Sequence, residues 1–583
     1  MVTQIQLGNL FSSGGKKILT GGASGLDVEG LVNGLAEAKR QPAVALEDKI
    51  TQNGKITSSL QDMQRLLDSF HDAANFLRNP PGVQNNADNI FKFRTSSISS
   101  NSAVAGSTYL NVTAEPGASI ANYQLEITQL ATRNIQTTDT FAVADTATSI
   151  VGGGGPLNAG TLFLGPSSTP ITLNAGDTLA EVVGKVNAVS STSGIEATAI
   201  KISDGNYRLS FKASETGAAH NYDISALNPG LFNVGFALQQ NAVDAQIEFD
   251  GTTITRSSNS IDDVVDGVTF NLLQQTPMGT TLDVNIEPDP ELAKQGILNF
   301  IDSYNAFRLF VSRQSETGAD GKPVDTAVLI NNQAMRLSMS RVSAEMSRIV
   351  DGITAGDPAR LADLGITFND FPGDDETPFT RNILTLDEDK LDAKLASDFD
   401  AVARVFQFTM TADDPSLQVF SRTNALGVSN FTLNIDQTNQ VFEATYDPGT
   451  GPVTIQLDKT ALGGGSIVLK GQSGTVLEGL TLIYSDTIDA TVNVNISQGI
   501  GDRIYNTLDG ILTPDTGALD VELSSVSDQN ERWTEEISRI DDIVATFRQR
   551  LLEQFSALET AISRSNTLLQ SLQAQQDAQN SSS

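Results

Sequence analysis

Few residues in this chain could do chemistry. Its 583 residues include no cysteine and two histidines, His71 and His220, far apart in sequence. Disulfides, thiolate nucleophiles and Cys-ligated zinc are excluded outright. Two isolated imidazoles do not make a metal site, and each reads as an ordinary core or surface histidine. The run Gly152–Gly155 ends in Pro156, with no Lys-Ser or Lys-Thr behind it, so it is a loop and not a phosphate cradle. The stretch "NDFPGDDETP" holds the acids for paired-carboxylate glycoside hydrolysis or a weak Ca²⁺ site. It lacks the ordered ligand pattern of an EF-hand and reads as a solvated loop. No catalytic, cofactor-binding or metal-binding residue is therefore assigned, and no cofactor is expected.

The charge balance points the same way. Seventy acidic side chains face 37 basic ones, for a net charge of -33. Such a surface is a poor partner for nucleic acid and is repelled by anionic membranes. No apolar run approaches the ~20 residues of a membrane-spanning helix. The start "MVTQIQLGNLFSSGGKKIL" lacks the charged-then-apolar pattern of a secretory signal. Composition alone thus gives a cytoplasmic protein.

The elements that would position a binding surface lie at the two ends. In "TGGASGLDVEGLVNGLAEAKRQP", Leu26, Leu31, Val32 and Leu35 recur at helical spacing. Asp27 stands where an N-cap is wanted, and Pro42 where a helix should end or bend. A second helical stripe runs from Leu46 to Leu77 through Ile50, Ile56, Leu60, Met63, Leu67 and Phe70, is interrupted by Asn53 and Thr57, and stops at "NPPG". At the other end, Trp533, Ile537, Ile540, Val544, Phe547 and Leu551 alternate in spacings of four and three. Leu558, Ile562, Ser565, Leu569 and Leu572 continue the phase. A heptad sustained this far predicts a coiled coil, and past Leu551 only the N-terminal segment or another copy of the chain is left to cover it.

Between the ends the period falls to two. "YQLEITQL" alternates as a strand, and "IEFDGTTIT" and "KISDGNYRLSF" read as hairpins turning at Asp250-Gly251 and Asp204-Gly205. "GDTLAEVVGKVNA" is a short helix with Thr178 and Glu181 as its capping box. Asp289 caps a helix whose first turn holds Pro290 and whose apolar face runs from Ile297 to Val311. Met335, Met339, Val342, Met346 and Ile349 form a second stripe, read as core. From about Phe408 to Gln498 the chain is Gly-, Thr- and Val-rich and strand-like, a β insertion in a helical body.

Helical termini around β domains, without cysteine or signal peptide, suggest a secreted flagellar axial protein. "GGASGLDVEGLVNGLAEAKRQPAVALEDKI" resembles the opening of the flagellar hook-associated protein 2 family, the filament-capping proteins. "VTAEPGASIANYQLEITQLATRN" is similar to that family's first β segment, with Asn122 where a Gly is usual. The most specific match is "ITRSSNSIDDVVDGVTFNLL", similar to an Asn-Ser-hydrophobic-Asp-Asp…Gly-Val-Thr segment. "LADLGITF", "LTLDEDKL" and "RLLEQFSALETAISRSNTLLQSL" resemble later landmarks, in family order.

The resemblance implies a non-enzymatic structural cap at the distal tip of the flagellar filament, exported unfolded through the flagellar channel and hence extracellular. It implies partners: further copies of this chain, flagellin, the hook–filament junction protein and an export chaperone at the C-terminal helix. The expected fold is α+β multidomain, with terminal helices forming a coiled-coil leg and helical trunk and with inserted antiparallel β head domains. The expected division is a leg segment 1–45, trunk helix 46–90, head domain 91–125 and 241–288 with an outer insertion 126–240, helical trunk 289–408, an extra β insertion 409–498, trunk helix 499–549 and leg helix 550–583. The residues expected to carry leg and self-assembly contacts are Leu26, Leu31, Val32, Leu35, Leu551, Phe555, Leu558, Ile562, Leu569 and Leu572. Rival readings are another axial protein, an extracellular adhesin, or an acidic glycosidase.

Overall fold

A computed structural model describes residues 9–13, 16–20, 27–80, 89–165, 167–374, 377–423 and 426–580. The chain divides into two units, Met1–Arg78 with Leu298–Lys390 and Arg404–Ser583, and Asn79–Ile297 with Leu391–Ala403. Long helices and antiparallel sheets give an α+β multidomain architecture. Among the described residues, no helix is long and apolar enough to cross a membrane, and no group of acidic or histidine side chains is arranged to hold a metal ion.

The first unit is built on two long helices, Val28–Leu77 and Ala518–Asn580. Asp27 accepts from the Gly30 amide at 2.9 Å and so starts the first of them. Pro42 does not end it. A proline removes one N–H donor and crowds the carbonyl four residues back. The helix nevertheless runs through, with Ala43 fully buried and Arg40 tied to the opposite helix. The lower half buries Leu60, Met63, Leu67, Phe70, Ala74 and Leu77. It packs on the helix Ile500–Leu512. Phe70 meets Phe300 at 5.0 Å and Tyr304 at 5.9 Å between ring centroids. The Tyr304 hydroxyl donates to the Asn382 carbonyl at 3.0 Å, and burial pushes its phenol up to about 12. Each such side chain contributes about 1.5–3 kcal/mol on burial.

Gly499 and Gly501 let the helix Ile500–Leu512 approach closely. A Cβ on Gly499 would lie 2.2 Å from the Phe406 carbonyl carbon, and one on Gly501 would lie 3.0 Å from the Phe406 oxygen and 3.2 Å from Leu77 Cβ. The Met stripe is core at Met335, Val342 and Met346, while Ile349 is exposed.

The same unit carries an eight-stranded antiparallel sheet in the order Phe408–Ala412, Ala490–Gln498, Asn430–Asp436, Val441–Tyr446, Val453–Ala461, Ile467–Gly471, Leu480–Tyr484, Leu417–Arg422. Its two edge strands are consecutive in sequence. Laid flat, eight strands span about 34 Å. The chain from Ala412 to Leu417 reaches at most about 18 Å. The sheet therefore curls on itself around Leu433, Ile435, Leu469, Leu482, Val492 and their neighbours. A buried ion pair lies at its base. Arg422 Nε donates to Asp502 Oδ1 at 3.0 Å with both side chains withdrawn from water, and Gln498 Nε2 donates to Asp502 Oδ2 at 2.9 Å.

The second unit holds two β structures. One packs the sheet Thr252–Arg256, Ala245–Phe249, Ala121–Gln129, Leu282–Pro288, Arg94–Ser100 against the three strands Ser260–Val265, Val268–Leu272 and Leu110–Ala114, around Leu125, Ile127, Ile247, Phe270 and Val284. Asp250 and Gly251 both have positive φ, 46° and 76°, which is what the two-residue turn of this hairpin demands. The strand Ala121–Gln129 runs straight through position 126, so the chain leaves this sheet only after Gln129. Alternation continues to that point, and it sets the edge of the inserted structure later than the expected 126.

The other structure is the sheet Ile195–Ser203, Asn206–Ala213, Ile135–Thr138, Phe236–Gln240, with Phe141–Ala142 beside the second strand. The helix Leu179–Asn187 covers it. The Thr178 amide donates to Glu181 Oε2 at 2.8 Å and the Glu181 amide to Thr178 Oγ1 at 3.2 Å, closing the capping box.

Candidate functional site

The two long helices of the first unit pack against each other along their length. Asn53 Nδ2 donates to Asn530 Oδ1 at 2.9 Å, Lys49 Nζ sits 5.5 Å from the Trp533 ring centre, Arg40 Nε donates to Asp541 Oδ1 at 2.8 Å, and Arg548 Nε donates to Asn33 Oδ1 at 3.3 Å. Positions rise along one helix as they fall along the other, so the pair is antiparallel. Trp533, Ile537, Ile540, Val544, Phe547 and Leu551 are all half-buried, as their spacing predicts.

Asn53 breaks the apolar stripe for a reason. Apolar residues tolerate slippage, whereas a partly buried Asn–Asn bond favours one alignment. Arg40 adds a second lock. It donates to Asp541 and also to Glu47, at 2.6 Å, and these carboxylates raise its pKa further. Further along the first helix, His71 stacks on Tyr505 of the helix Ile500–Leu512 at 4.1 Å, and burial lowers its pKa. The Arg78 guanidinium lies 3.3 Å from the centre of the Tyr505 ring.

The expected leg residues divide. Leu26 lies outside the described residues. Val32 is buried, with 1% of its surface exposed. Leu31 and Leu35 are 47% and 46% exposed, because the inward face runs through Val28, Val32, Ala36 and Ala43 instead. Spacings of four, four and seven across two alanines were the available signal. Leucines one residue off that face drew attention from it.

Val28 and Val32 form a small core with Leu552, and Leu551 and Phe555 pack on it. Leu552, missed in the heptad reading, is thus the buried member, and the stripe does enter a core for about one turn past Leu551. Beyond that, among the described residues, the stripe is less covered. Leu558, Leu569 and Leu572 are 47%, 54% and 53% exposed, and Ile562 is half-buried. The strand Lys16–Thr20, hairpin partner of Asn9–Ser13, contacts the helix Ala518–Asn580. Neither helix shows a break at 45/46 or 549/550.

Of the acids of "NDFPGDDETP", Asp375 and Glu376 lie outside the described residues, and Asp374 Oδ1 accepts from the Thr377 amide at 2.7 Å.

The family model described as flagellar hook-associated protein 2 C-terminus matches residues 242–567, and the corresponding N-terminus model matches residues 24–134. A flagellin hook IN motif matches residues 149–215. The A-type flagellar hook-associated protein 2 of Pseudomonas aeruginosa is 28% identical over 424 residues, covering 67% of this chain and 80% of that protein. Flagellar hook-associated protein 2 of Escherichia coli K12 is 24% identical over 404 residues, covering 66% and 78%. Among solved structures, the D1-D2-D3 domains of the flagellar cap protein FliD from Escherichia coli align with a TM-score of 0.42 at 23% identity, over 60% of this chain and 89% of that one. With the C-terminal model alone spanning more than half of its length, the chain belongs to the flagellar hook-associated protein 2 family.

Proposed function

We propose that this protein is a structural cap at the distal tip of the bacterial flagellar filament, where it promotes flagellin folding and polymerisation and prevents flagellin loss. The observation that carries this reading is the antiparallel helix pair whose C-terminal member outruns its partner with leucines still in water. Family membership supports it. The proposed legs are 1–45 and 550–583. Leu31, Leu35, Leu558, Ile562, Leu569 and Leu572 are free to meet neighbouring copies or flagellin, while Val32, Leu551 and Phe555 hold the pair together. The proposed heads are the β structures at 91–288 and 409–498.

Such a cap works by exchanging weak contacts and has no catalytic step. Its partners are copies of itself, flagellin and the hook–filament junction protein, with an export chaperone able to take the overhanging helix. Export in an unfolded state through the flagellar channel suits a chain without cysteine, and it makes the working location extracellular. The test is deletion of the gene. Cells are expected to lose filaments and to leak flagellin monomer into the medium. Filaments of ordinary length in the deletion strain would refute the cap.

A further inference from the structure

The sheet of the outer head has, among the described residues, two edges of different kinds. The edge strand Ile195–Ser203 carries Glu196 and Lys201, and Lys201 pairs with Asp204 at 2.7 Å. Charges of this sort blunt an edge against added strands. The opposite edge, Phe236–Gln240, carries none. It lies inside the run Ile224–Val243, which contains no acidic or basic residue at all, in a chain of net charge -33. Ala237–Gln240 are exposed, and only Phe236 is half-buried, 4.5 Å from Phe232 between ring centroids. The strand is paired with Ile135–Thr138 on one side only, so alternate backbone N–H and C=O groups face away from the sheet.

An open groove of about 430 Å³ lies against this edge, lined by Phe236, Leu238 and Asn241 together with Asn134, Gln136 and Tyr222. Phe236 and Leu238 share one face of the strand by its two-residue period. The polar side chains around them are largely occupied. Gln136 Oε1 accepts from the Ile224 amide at 3.0 Å, and Asn134 Nδ2 donates to Asn221 Oδ1 at 2.6 Å. The carboxylate at the rim, Asp223, caps a short helix through the Ser225 and Ala226 amides. The Tyr222 hydroxyl is buried without a hydrogen-bond partner.

We propose that this edge takes an extended, uncharged polypeptide segment as an added strand, with one apolar side chain of that segment seated between Tyr222, Phe236 and Leu238. Backbone bonding at an edge is indifferent to sequence, and a groove on one face selects a side chain. Size decides against a folded second copy as the occupant. Five residues of edge fall far short of the roughly 20–30 residues a side that a stable interface between folded chains uses. An extended segment needs only the edge and its groove. The site is separate from the helix pair, and its binding does not depend on the cap reading. If that reading holds, unfolded incoming subunits are a source of such segments.

The test uses the full-length protein and a fluorescein-labelled peptide of alternating Val and Thr, read by anisotropy. Saturable binding is expected. The same peptide with proline at alternate positions, unable to donate to the edge, should bind at least about tenfold more weakly. Leu238→Lys should weaken the original peptide by a similar factor while leaving the circular dichroism spectrum unchanged. Absence of saturation, equal binding of the proline peptide, or an unaffected Leu238→Lys variant would each overturn the proposal. So would a dimer in sedimentation velocity that Leu238→Lys dissociates while the peptide fails to bind, since the occupant would then be a second copy. No filament enters the assay, so this result and the deletion phenotype fail separately.

Discussion

From Trp533 to Leu551 the C-terminal helix turns six residues of a heptad onto the N-terminal helix, whereas from Leu558 to Leu572 the same spacing leaves three leucines half in water. The two stretches do not differ in pattern or in helix type. They differ in what lies opposite. Asn53–Asn530 and Arg40–Asp541 fix the alignment, and the alignment fixes where the shorter helix, starting at Val28, runs out. The apolar stripe is thus closed at its root and open at its tip. A closed stripe stabilises the chain that carries it, and an open one is available to something else.

The largest expected effect lies off the stripe, where the β insertion meets the helix Ile500–Leu512. Arg422 and Asp502 are buried together, and removing one partner of such a pair strands the other charge. Arg422→Leu is expected to lower stability by about 3–5 kcal/mol, measured by urea unfolding, and Asp502→Leu in the same chain should recover most of the loss. Deleting 409–498 removes both Arg422 and Gln498, so that deletion should leave the trunk folded only when Asp502 is also replaced. A trunk that stays equally stable after the deletion alone would show that the ion pair does not couple the β insertion to the helices.

A smaller effect sharpens the comparison with one chemical change at two places. Leu67 is fully buried at the root and Leu569 is exposed at the tip. Leu67→Ala should cost about 2–5 kcal/mol, because the cavity adds to the lost transfer energy. Leu569→Ala should change stability by less than about 0.5 kcal/mol. Similar losses at both positions in denaturant titrations would mean that the tip is already covered within one chain.

Much of this was legible in the sequence because it is local. Caps at Asp27, Thr178 and Asp289, the turn at Asp250-Gly251 and the heptad to Leu551 depend on residues a few positions apart. What was not legible depends on partners far along the chain. Pro42 reads as a helix stop until Asp541 is found holding Arg40 across from it. Asn53 reads as a flaw until Asn530 is found beside it. Leu31 and Leu35 outweigh Val28 and Ala36 on any hydrophobicity count, yet the helix pair needs small residues on the near face and leaves the larger ones outside. The pair Arg422–Asp502 joins positions with no pattern connecting them.

The smallest expected effect on folding is also the one with the largest expected consequence for assembly. Leu558 is about half exposed and Ile562 half-buried, on a part of the helix beyond Val28 and Val32. A carboxylate at 558 keeps about half of its surface in water and one at 562 less, and aspartate lowers helix propensity by no more than about 0.7 kcal/mol per residue. Leu558→Asp with Ile562→Asp should therefore lower the urea midpoint of the purified chain only slightly, most of it through position 562. In an assembled cap the same side chains would be covered by a neighbouring copy or by flagellin. Two buried, unpaired carboxylates are then opposed by several kcal/mol each, far more than a marginal interface can absorb. Cells carrying the double variant should secrete the protein and grow no filaments, while Leu558→Met with Ile562→Met should grow them normally. Motility in the aspartate variant would remove the overhang from the mechanism and leave the paired half of the helices as the part that grips.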